Sequence, residues 1–75
     1  MDIEILSAIE KRLHETYVHY RFQVQIIQNK TVFMISIYKG QSLIQTYNAP
    51  NTMPSNVFWD NIRTLMIEIM QKYGY

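Results

Sequence analysis

The chain has 75 residues, no cysteine, seven basic and six acidic side chains, and a net charge of +1. That length holds one domain with a thin core, in which about 60% of the unfolded surface is buried. The missing cysteine removes disulfides and thiolate metal sites as staples. Near-neutral charge provides no long-range attraction for nucleic acid or an anionic membrane.

Met1-Asp2-Ile3-Glu4 has no basic stretch ahead of an apolar run, so it does not read as a signal peptide. No stretch approaches the roughly 18 apolar residues of a membrane span, and the expected location is the cytoplasm. Asp2 suits an N-cap and Glu4 the positive first turn of a helix. Ile5, Leu6, Ile9 and Leu13 then recur at helical spacing, with Glu10, Lys11, Arg12 and Glu15 occupying much of the remainder. This pattern predicts an amphipathic helix over residues 2–16.

Val18, Tyr20, Phe22, Val24 and Ile26 alternate with His19, Arg21, Gln23 and Gln25. The alternation predicts a strand over 18–28 with one buried and one wet face. Gln28-Asn29-Lys30-Thr31 follows, and Asn tolerates the left-handed backbone of a tight hairpin. A two-residue Asn29-Lys30 loop pairs Ile26 with Phe33, Val24 with Ile35 and Phe22 with Ile37. Slipping that register by one would oppose polar to apolar side chains. Lys39-Gly40-Gln41-Ser42 places Gly at the first central position of a second hairpin, as a type II′ turn prefers. It pairs Ile37 with Ile44 and Ile35 with Thr46 on the core face, and Tyr38 with Leu43 and Met34 with Tyr47 on the other. The third strand is expected to end near Asn48, with a loop over 49–54.

The last helix is predicted from Pro54 or Ser55 to Tyr73. Phe58, Ile62, Leu65, Met66, Ile69 and Tyr73 form its apolar stripe, and Trp59, Ile67 and Met70 widen it. Gly74 is the expected stop. The fold class is α+β: a two-layer α-β-β-β-α domain over residues 1–75, with a three-stranded antiparallel meander and both helices on one sheet face. Phe22, Val24, Ile26, Phe33, Ile35, Ile37 and Ile44 are the expected core of that sheet.

The opposite face then presents Ile27, Val32, Met34, Tyr38, Leu43 and Tyr47 among Arg21, Gln23, Gln25, Ser36 and Gln45. Apolar groups left in water forgo about 1.5–3 kcal/mol each, and several together make a patch of the kind that marks an interaction site. Tyrosines and β-branched residues also occur on sheet surfaces simply because they suit the pleat. One outer strand, the first or the third, also stays open to pairing with another chain.

Little else carries chemistry. His14 and His19 are five apart, where a helical zinc motif needs four, and no third ligand accompanies them. They read as solvent-facing histidines at a helix–strand junction. Gly40 and Gly74 make no phosphate loop, and Ser7, Ser36, Ser42 and Ser55 lie in no nucleophile context. Asp60 and Glu68 read as solvated charges. No catalytic residue, metal ligand, cofactor or small-molecule substrate is assigned.

The element order is similar to that of double-stranded-RNA-binding domains, but those begin their second helix with a lysine cluster. Here the segment is Ser55-Asn56-Val57-Phe58-Trp59-Asp60, so the likeness is one of topology alone. The expected function is a non-enzymatic protein-binding module, self-associating as a homodimer, that regulates or inhibits a larger protein. Val32, Met34, Tyr38, Leu43 and Tyr47 on the sheet, with Trp59 as an anchor, are its expected contact residues. The alternative is a weak nucleic-acid binder using Arg21, Lys30 and Lys39 with nearby tyrosines.

Overall fold

A computed structural model describes residues 3–74, excepting the side chains of Ile3 and Glu4. Its elements are α1 (Ile3–Thr16), β1 (Arg21–Ile27), β2 (Val32–Lys39), β3 (Ser42–Pro50) and α2 (Ser55–Tyr73). The expected N-cap Asp2 lies outside the described residues. The strands form one antiparallel sheet in the order β1-β2-β3, as the α+β reading requires.

The first hairpin has the register read from its apolar pairs, with Phe22 opposite Ile37, Val24 opposite Ile35 and Ile26 opposite Phe33. Gln28, Asn29 and Lys30 all take left-handed φ angles, between 54° and 66°. Asn51 holds this tip in place, donating from Nδ2 to the Lys30 carbonyl at 2.8 Å and from its backbone N–H to the Thr31 carbonyl at 2.8 Å. At the second hairpin Gly40 has φ +63° and opens the Lys39–Ser42 turn, a conformation that glycine adopts without a Cβ penalty.

Leu13, Phe22, Val24, Ile35, Ile37, Ala49, Phe58, Ile62, Met66 and Ile69 interlock as the core between the helices and one sheet face. Burying large side chains of this kind contributes about 1.5–3 kcal/mol each. Tyr20 joins them, and its hydroxyl donates to the Gly74 carbonyl at the end of α2. Lys39 Nζ donates to that same carbonyl at 3.4 Å and sits 4.8 Å from the Tyr20 ring centre. The far end of α2 is thereby fastened to the start of the sheet.

Three expectations need correction. The first strand begins at Arg21, because the chain leaves α1 through turns closed by Tyr17 N–H to the Leu13 carbonyl and Tyr20 N–H to the Tyr17 carbonyl. Val18 is left 69% exposed. The third strand continues to Pro50, which an edge strand tolerates.

The most consequential correction lies between Ile37 and Tyr38, where the β2–β3 register shifts by one. Tyr38 faces Leu43 as expected, but Ile37 faces Gln45, Ile35 faces Tyr47 and Met34 faces Asn48. Ile44 is the extra residue of a β-bulge. The shift carries Tyr47 and Ala49 to the helix side and Thr46 and Asn48 to the other. Ile44 and Ile26, both expected in the core, are half-buried.

Candidate functional site

Glu10 and His14 lie four residues apart on α1, and therefore on one flank of the helix. That flank runs beside β1. His14 Nε2 accepts the Phe22 backbone N–H at 3.1 Å, and Glu10 Oε2 accepts that of Val24 at 3.4 Å. The His14 ring also meets the Phe22 ring edge-on at 5.7 Å. Two of the outward amides of β1 are thus occupied from within the molecule.

Those contacts fix which backbone groups point where. If the Phe22 and Val24 amides face away from β2, then Ile37 and Ile35 opposite them direct theirs toward β3. Gln45 and Tyr47 answer those groups, which leaves the N–H and C=O of Thr46 and Asn48 aimed outward. Among the described residues the only partner of these four groups is local, the Gln45 side chain donating to the Thr46 carbonyl at 3.2 Å. Unpaired edges are templates for strand addition, and proteins commonly blunt them with charge or cover. β3 has no charge and, among the described residues, no cover beyond that one Gln45 amide. From Gly40 to Trp59 the chain contains no charged residue at all.

The six expected contact residues are not one surface. Val32, Met34, Tyr38 and Leu43 do share the face without helices, yet only Leu43 is widely exposed, at 54%. Tyr38 lies flat enough for its hydroxyl to reach Gln23 Oε1 at 3.4 Å, with the Arg21 guanidinium 5.0 Å from its ring. Ser36, between Gln23 and Thr46, is buried by its neighbours. Val32, Met34 and Tyr38 are half-buried there, among the polar side chains of Gln23, Gln25 and Thr46.

Tyr47 stands on the helix side, against Phe58 at 6.1 Å, with its hydroxyl accepting from Asn61 Nδ2 at 3.1 Å. Trp59 is elsewhere again. It packs on Phe58, carries the Arg12 guanidinium 4.0 Å over its ring, and borders an apolar groove of about 210 Å³. Ile5, Ile9, Phe33 and Met53 line that groove, together with Phe58 from the first half of α2.

The basic residues of the nucleic-acid alternative are also dispersed. Arg21 and Lys39 stand at one end of the sheet, and Lys30 is at the β1–β2 tip, seven rungs away. At about 3.4 Å per residue that separation exceeds 20 Å. Near the α1–α2 junction, burial pushes the Tyr17 phenol above its ordinary value of 10.0, against the opposing pull of Arg63 and Arg12.

Glu10 and His14 are the residues that sequence reasoning missed. Their four-residue spacing sets them on one flank of α1 but does not say which neighbour that flank meets. No protein family, no curated protein and no solved structure matches this chain.

Proposed function

We propose that this chain is a small non-enzymatic protein-binding module that receives an extended segment of a protein partner along the outer edge of β3. By occupying that segment it acts as a regulator or inhibitor. The observation that carries the reading is the inequality of the two sheet edges. α1 supplies acceptors to β1, whereas β3 keeps two outward pairs of backbone groups in an uncharged, mostly exposed strand. Main-chain hydrogen bonds to such an edge provide affinity with little demand on partner sequence, and alternate side chains provide selectivity.

A photoreactive amino acid placed at Thr46 tests this in the native cell, with Lys11 on the exposed side of α1 as control. The expected result is a discrete protein adduct from position 46 that position 11 does not form. No adduct at 46, or the same adducts at both positions, refutes the reading.

A further inference from the structure

We infer that the partner received at the β3 edge is a second copy of this chain, paired antiparallel about a two-fold axis at Tyr47 to make a continuous six-stranded sheet. This rests on the β3-edge reading above. The register follows from where the free groups lie. An axis at Tyr47 sets Thr46 opposite Asn48 of the second copy and Asn48 opposite its Thr46. Every outward N–H and C=O of these two residues then finds a partner. An axis at Thr46 would instead set Asn48 against Ile44, the bulged residue, where the regular spacing of the edge is lost.

Charge separates a second copy from other partners. Two-fold pairing opposes each side chain to one from the same strand, so a single Lys or Glu in β3 would meet its like. The charge-free stretch from Gly40 to Trp59 removes that repulsion. An edge meant to resist self-pairing carries the opposite signature, commonly lysine.

α2 contributes a second element. Asn61 bonds Tyr47, and Leu65 borders Ile44 and Gln45, so this flank of α2 lies on the β3 side. Val57, one turn before Asn61 on the same flank, is 40% exposed despite being apolar. The axis at Tyr47 brings Val57 toward Leu65 of the second copy. A 75-residue chain with a thin core is also the kind that gains from association.

The test is the mass of the purified full chain by sedimentation equilibrium, for the wild type and two double variants at exposed positions. The wild type is expected at twice its 9.0 kDa at about 100 μM, where a micromolar Kd leaves mostly dimer. In Thr46→Lys/Asn48→Lys, two symmetry-related like-charge pairs are expected to raise the dimer Kd about thirtyfold. In Thr46→Lys/Asn48→Glu the same register opposes Lys to Glu, and the dimer is expected to return. Amide protection at Phe22 and Val24 reports that each variant is folded. A wild type that stays monomeric, a dimer indifferent to the two lysines, or no recovery with the Lys/Glu variant overturns the inference. A monomeric wild type whose position-46 photoadduct contains a different protein leaves the β3-edge reading standing and removes only the second copy.

Discussion

Replacing His14 by alanine removes the acceptor of the Phe22 amide without touching the β1–β2 ladder. A hydrogen bond of this kind contributes about 1 kcal/mol net. The edge-on ring contact with Phe22 adds about 0.5 kcal/mol, the low end for aromatic pairs because His14 is exposed. The sum of about 1.5 kcal/mol corresponds to roughly tenfold in a local opening equilibrium. Hydrogen exchange followed by NMR is the assay. The Phe22 amide is expected to exchange about tenfold faster in His14→Ala, while that of Gln23, which faces β2, changes far less. Glu10→Ala is expected to accelerate Val24 about threefold, since its bond is longer at 3.4 Å. Glu10→Gln, which keeps a carbonyl acceptor, is expected to stay near wild type. Unchanged exchange at Phe22, or an equal rise at Phe22 and Gln23, would refute the idea that α1 closes this edge.

Other expectations concern the parts that hold the sheet in place. Met66→Ala opens a cavity at a fully buried position and is expected to lose about 2–5 kcal/mol. That is a large share of the roughly 4–11 kcal/mol available to such a chain, so the urea midpoint is expected to fall by about that share. Gly40→Ala meets no atom within 4 Å but must hold φ +63°, and is expected to lower stability by about 1 kcal/mol and Tm by about 4–8 °C. The raised Tyr17 phenol makes the folded state the tighter proton binder. Its stabilisation is therefore full below the ordinary phenol value of 10.0 and is lost as pH rises through the raised one. The urea midpoint is expected to fall more steeply with alkaline pH in the wild type than in Tyr17→Phe.

What was legible in the sequence was whatever is set locally. Ile26 and Phe33 flank a turn that fixes their register, and the pairs beyond them are all large and apolar, so the β1–β2 hairpin follows from period and turn chemistry. The stripe through Phe58, Ile62, Met66 and Ile69 is likewise a matter of 3.6-residue spacing. β3 was harder because its turn is regular and its irregularity comes one step later. Tyr38 faces Leu43 as the Gly40 turn dictates, and only then does Ile44 bulge. The adjacent apolar pair Leu43-Ile44, followed by Tyr47 and Ala49 on the opposite parity, was the visible trace of that extra residue. Ala49-Pro50 also resembles a loop until the edge position of the strand is known. The His14–Phe22 bond left no pattern, since it depends on how α1 settles against β1.

The most direct test of the β3 edge as a self-pairing surface is hydrogen exchange at Thr46 and Asn48 in dilute and concentrated protein. Phe22 and Val24, served from within the molecule, should be equally protected in both. Thr46 and Asn48 should exchange quickly when dilute and become protected as the concentration rises. Fast exchange at both positions across the whole range would contradict the account.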